Sequence, residues 1–281
     1  MKGFFATALA LAFVLAACTD SANKTDNFNT QAEAEAAVAQ NEATIGLAVE
    51  LALLAVQQTG FDGSFTGGVP LFKNSTGKRT RFNRPMDDTT TYNSTTGWWT
   101  YEEHETEVEE DGTYNLDVLF QLRFTPRDLI GLPTDATDQM EYVADVDWDF
   151  DGTDGDFIFS YLSELVFTGL AAFNDTTGDA VMNGSTDFDW EITSGAGQQS
   201  FSFEYTYDID YNSVAFANGA DYPQSGSVDF VVRLNITPNI EGFDEYNVAG
   251  TITFDGDNTA TLVFGGWNFV INLDTGDITP A

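Results

Sequence analysis

Residues 184–193 and 200–212 read GSTDFDWEIT and SFSFEYTYDIDYN. In the second stretch Phe201, Phe203, Tyr205, Tyr207, Ile209 and Tyr211 take every other position, and Ser202, Glu204, Thr206, Asp208 and Asp210 fill the gaps. In the first, Phe188, Trp190 and Ile192 alternate with Asp187, Asp189 and Glu191. A period of two sends successive side chains to opposite faces of a strand. Each stretch thus has one apolar and one acidic face, as in an antiparallel sheet that is packed on one side and wet on the other. The short glycine-containing link SGAGQQ makes them a hairpin. A tight turn near Ala196-Gly197 would set Asp189 opposite Glu204, and like charges across a ladder cost stability.

The same period runs on either side. TGWWTYEEHETEVEEDGTYNLDVLFQLRF (96–124) reads as a hairpin turning at Asp111-Gly112. Pairing Glu110 with Tyr114 would sort its faces. His104, Thr106 and Val108 would then join Leu116, Val118 and Phe120, with His104 opposite Phe120. Glu103, Glu105, Glu107 and Glu109 would lie beside Asn115, Asp117 and Gln121. A slip of one residue would mix the faces, so this register is a sharp expectation. Three further strands follow in SGSVDFVVRLNIT, YNVAGTITFDG and ATLVFGGWNFVINLD. A G-[ST]-x-[DT]-F pattern recurs at Gly184, Gly226 and Gly250. Its unequal spacing supports no repeat architecture, so it reads as a habit of strand starts.

Upstream the period is helical. Thr30 to Glu33, TQAE, is a capping box. Helix-favouring residues run on to Thr59, and Gly60 supplies a stop. From Ile45 to Val56 the pattern is apolar almost all round, broken chiefly by Glu50, and such a helix is buried on every side. The sequence therefore predicts a mainly β fold. It is an antiparallel meander of about ten strands, forming a strongly curved sheet or barrel around one long N-terminal helix, with residues 30–281 as a single domain.

The chain begins MKGFFATALALAFVLAACTD. Lys2, the apolar run Phe4–Val14 and the small residues after it make a secretory signal peptide, too short to span a bilayer. Leu15-Ala16-Ala17-Cys18 resembles the lipobox of bacterial lipoproteins. The resemblance implies cleavage before Cys18, a diacylglycerol on its thiol and acylation of the new amine. The chain would then be anchored by lipid in the cell envelope. Thr19 after the cysteine implies the outer membrane, by similarity to enterobacterial sorting. Residues 1–17 are then the signal peptide, and the polar residues 18–29 a flexible tether. Cys18 is the only cysteine, so the chain can form no internal disulfide.

The formal charge is −35, which opposes contact with nucleic acid. Such acidity suits a saline setting, where cations screen self-repulsion. Five of the ten cations, Lys73, Lys78, Arg79, Arg81 and Arg84, cluster in FKNSTGKRTRFNRP (72–85). They are candidates to dock an anionic ligand or the chain's own acidic strands. Asp147-Trp-Asp149-Phe-Asp151-Gly152 matches the first half of an EF-hand calcium loop, but Ile158 stands where the twelfth-position glutamate belongs. Asp147, Asp149, Asp151, Asp154 and Asp156 are the candidate Ca2+ ligands. The plainer alternative is a row of aspartates on one side of a strand, ending in a turn. His104 is the sole histidine, so histidine triads and zinc sites have little to draw on. The expected function is a non-enzymatic binding or structural role in the envelope. The alternatives are a carrier of a hydrophobic ligand in a half-barrel, a calcium-dependent binding module and, last, a carboxylate-dependent glycosidase.

Overall fold

A computed structural model of the chain describes residues 30–39, 45, 71–73, 79–81, 90–109, 112–153, 155–196, 199–218, 220–237 and 246–281. Helix α1 covers 31–39. Its N-terminus is capped as the sequence predicts, with the Glu33 N–H donating to Thr30 Oγ1 at 3.3 Å. Ala34, Ala37 and Val38 are buried on one face, and Ile45, again helical, is fully buried. The helix predicted to run to Thr59 is thus described as one short amphipathic piece plus Ile45. The rest of its apolar second half, 46–56, and Gly60 lie outside the described residues.

The rest is strand. β1 (Leu71–Lys73) and β2 (Arg79–Arg81) form a small ladder of their own. A single sheet of twelve strands follows: β3 (Thr90–Tyr92), β4 (Trp99–Val108), β5 (Gly112–Thr125), β6 (Gln139–Gly152), β7 (Gly155–Thr168), β8 (Ala180–Ala196), β9 (Gln199–Phe216), β10 (Ser225–Thr237), β11 (Tyr246–Phe254), β12 (Thr259–Phe264), β13 (Trp267–Asn272) and β14 (Ile278–Pro280). Helix α2 (Leu170–Asn174) bridges β7 and β8. Every strand pairs with the next one in the chain, antiparallel. The meander is as expected, but the barrel is not. The sheet is open, with β3 and β14 as its two edges. Both are three residues long, and short edges limit strand addition.

The core lies on one face of the sheet, chiefly over β7–β13, with Phe124 of β5 and Met140 of β6 joining it. Tyr205, Tyr207, Ile209 and Tyr211 are buried there beside Phe230, Val232 and Leu234, then Ile252, Leu262, Phe269 and Ile271. Ala34, Val38 and Ile45 belong to the same cluster, so the helix does pack on the sheet. Thr186 and Ser163 are buried polar residues in this face and are paired to each other at 2.9 Å.

Two registers differ from expectation. In the β8–β9 hairpin Ala196 pairs with Gln199 across a two-residue link. This register is two residues from the predicted one, so the faces are unchanged. The like-charge pairs become Glu191 opposite Glu204 and Asp187 opposite Asp208, while Asp189 faces Thr206. In the β4–β5 hairpin the shift is three residues, which exchanges the faces. Glu109 donates to Gly112 O at 2.8 Å, so the link is the pair 110–111 rather than Asp111-Gly112. His104 stands opposite Asp117 on the polar face, and Glu103, Glu105 and Glu107 stand opposite Val118, Leu116 and Tyr114 on the apolar one. Two-residue links match the twist of paired strands, and that geometry sets the register here. Carboxylates on the inner face of β4, all exposed, also explain why this edge does not close into a barrel.

The recurrent glycines have a structural reason. β9 carries a bulge at Asn212-Ser213 against both neighbours, and Ser213 has φ 52°. Gly184 on β8 and Gly226 on β10 flank it, with φ 136° and 100°. A Cβ on Gly184 would strike the carbonyl oxygen of Glu164, and one on Gly226 that of Ser213. Gly250 makes room for the ring of Phe230.

Candidate functional site

The polar face of the sheet gathers the acids. Asp145, Asp147, Asp149 and Asp151 point to it along β6, while Val146, Trp148 and Phe150 point to the other face, as alternation requires. Their partners are local. Ser160 Oγ donates to Asp147 at 2.7 Å, Asn115 Nδ2 to Asp149 at 2.8 Å, and the Gly152 N–H to Asp156 at 3.3 Å. The four carboxylates thus form a ridge rather than a cradle. Among the described residues no three His, Cys, Asp or Glu side chains converge to hold a metal ion. Asp154 lies outside them. His104 Nδ1 meets Asp117 Oδ1 at 2.6 Å on the same face, with both side chains more than half exposed. A shallow groove of about 370 Å³ follows this stretch, lined by Glu102, His104, Asp117, Leu119, Asp145 and Asp147 over the strand backbone at Glu103 and Val118.

The electrostatic centre of this face is Asp187. Burial, and then the neighbouring Asp208, Asp210, Asp189 and Glu164, push its carboxyl above the ordinary aspartate range. Partial burial, helped by Asp147, does the same to Asp145. Among the described residues Arg233 answers this cluster, its Nη1 contacting Asp208 at 2.6 Å. Lys73 and Arg79 are opposite each other in the β1–β2 ladder with Arg81 at its end, whereas Lys78 and Arg84 lie outside the described residues, as does Cys18.

The other face holds what the sequence did not reveal. Beyond the packed core, its apolar rows continue onto β4–β6 as a half-buried stretch: Tyr101, Leu116, Val118, Phe120, Val146 and Trp148. Tyr114 and Phe150 stack at its rim with ring centroids 4.4 Å apart. Glu103, Glu105 and Glu107 border it, and the Tyr101 hydroxyl donates to Glu103. Deeper in, the hydroxyl of Tyr207 and the indole N–H of Trp190 are buried with no hydrogen-bond partner among the described residues. Tyr211 leans on the Thr186 hydroxyl without a well-formed hydrogen bond. Burial pushes the Tyr207 phenol far up, so it stays protonated and keeps its donor. Buried donors are almost always paired in proteins, so these are conspicuous. The one signal available in the sequence was the choice of tyrosine where phenylalanine would fill the same inward position.

No protein family, curated protein or solved structure matches this chain.

Proposed function

We propose that the protein is a non-catalytic, lipid-anchored component of the cell envelope whose open sheet receives a hydrophobic ligand with a polar end. The observation that carries the ligand is the half-buried aromatic stretch of β4–β6 leading to the donors of Tyr207 and Trp190, which have no partner among the described residues. An amphiphile would lay its chain along the first and offer an oxygen acceptor to the second. The Leu15–Cys18 lipobox supports the anchor, and Thr19 the outer membrane. The net charge of −35 disfavours nucleic acid as a partner. The finer picture of a strongly curved half-barrel belongs to this reading too, since concavity would shelter the ligand.

The experiment is native purification of the full chain, followed by mass spectrometry of its organic extract and titration with a fluorescent fatty acid. A stoichiometric amphiphile, displaced by the probe, is the expected result. An empty extract together with no probe binding would sink the proposal. Tyr207→Phe should weaken probe binding without unfolding the protein. The calcium reading finds less support, because the β6 carboxylates point along a ridge and already have local partners.

A further inference from the structure

The loop between β5 and β6 presents two large apolar side chains to solvent. Leu129 is 98% exposed and Ile130 56%. They are the middle residues of a tight turn, positions normally given to polar residues or glycine. The turn is not loose. Asp128 Oδ1 accepts the N–H groups of Ile130 at 3.0 Å and Leu132 at 2.8 Å, and Asp128 N–H donates to Leu132 O at 3.0 Å. Trp99 Nε1 donates to Gly131 O at 2.9 Å, and Tyr92 packs on Trp99 with centroids 4.9 Å apart. The turn is therefore fixed by backbone bonds and the Asp128 carboxylate, and these bonds do not involve the Leu129 and Ile130 side chains.

What surrounds the dipeptide is specific. Residues 90–281 contain three cations, Arg123, Arg127 and Arg233. Arg123 pairs with Glu141 and Arg233 with Asp208. Arg127 precedes the turn and contacts the Tyr92 hydroxyl at 3.1 Å, with no carboxylate partner among the described residues. In so acidic a chain, an arginine with no acid beside it among the described residues is an unusual allocation. Trp98, under the Arg123 guanidinium at 4.6 Å, stands at the same end of the sheet with Trp99 and Tyr92. Exposed aliphatic residues, tryptophan and tyrosine, and a cation with no carboxylate partner among the described residues are the groups that settle at a membrane–water interface.

We infer that the Leu129-Ile130 turn is a membrane-contact loop, dipping into the headgroup region of a bilayer with Arg127 on an anionic phosphate. It orients the sheet with the β5–β6 loop toward the lipid. The inference rests on this loop alone and does not need the ligand reading above.

The test compares two single substitutions in the full chain, Leu129→Cys and Val108→Cys, each labelled with an environment-sensitive fluorophore. Val108, 76% exposed, lies at the far end of β4 and serves as the control. Any label on Cys18 is common to both. On vesicles of phosphatidylethanolamine and phosphatidylglycerol, the Leu129 probe should brighten and shift to the blue while the Val108 probe does not. Arg127→Gln should remove the dependence of that signal on phosphatidylglycerol. A silent Leu129 probe, or an equal response at both positions, overturns the inference.

Discussion

Tyr207 and Asp187 are two residues on opposite faces of neighbouring strands, and each is held at a cost. A buried donor without an acceptor forfeits its bond to water, a penalty of about 1–3 kcal/mol. Tyr207→Phe should therefore raise the melting temperature of the ligand-free protein while lowering affinity for an amphiphile. A fall in both would mean that Tyr207 is simply core. For Asp187 the sign follows from its raised pKa. The folded state holds its proton to higher pH than the unfolded chain does. Between the unfolded and folded values the folded state binds more protons, so stability increases as pH falls through the folded pKa and levels off below the unfolded one. Asp145 acts in the same direction. Asp257 and Asp274, held low by hydrogen bonds from Thr259 and from Tyr222, act oppositely at more acid pH. Asp187→Asn should stabilise the protein at neutral pH and flatten the gain on mild acidification. Melts from neutral to moderately acid pH check it.

At the level of elements, the strands differed in how plainly they announced themselves. Over 187–192 of β8 and 201–210 of β9 apolar and polar residues alternate without a break, so the faces could be read although the pairing was two residues out. β4 offers no such contrast. EEHETEVEE is polar on both sides, so its pattern could not choose a register and the two-residue link chose it instead. The candidate site suffered most from this. His104, expected in the core, is an exposed partner of Asp117, and the acids expected on the wet side rim the apolar stretch. An exposed pair of this kind contributes little, so His104→Ala should cost less than about 1 kcal/mol, against several for a buried histidine. The bulge gives the opposite expectation. Gly184→Ala forces a side chain into an unfavourable φ and against the Glu164 carbonyl, and should cost about 1–3 kcal/mol in a denaturant melt.

Across the whole molecule, the acids of the polar face repel one another, and among the described residues only two arginines answer them, Arg123 at Glu141 and Arg233 at Asp208. Monovalent salt should raise the melting temperature by screening. Calcium at matched ionic strength should add nothing further. A calcium-specific gain that Asp147→Asn abolishes would instead establish a site on the β6 ridge.

The strand order has one more consequence. Each strand hydrogen-bonds only to its predecessor and its successor, from β3 to β14. Nothing in the sheet joins early sequence to late. The ladder can therefore be assembled like a zip as the chain is delivered from its N-terminal end, each new hairpin docking on one already formed, with loop closures short enough to be fast. A chain interrupted at any hairpin would carry a complete partial sheet with one raw edge, and the three-residue β14 is what finally seals it.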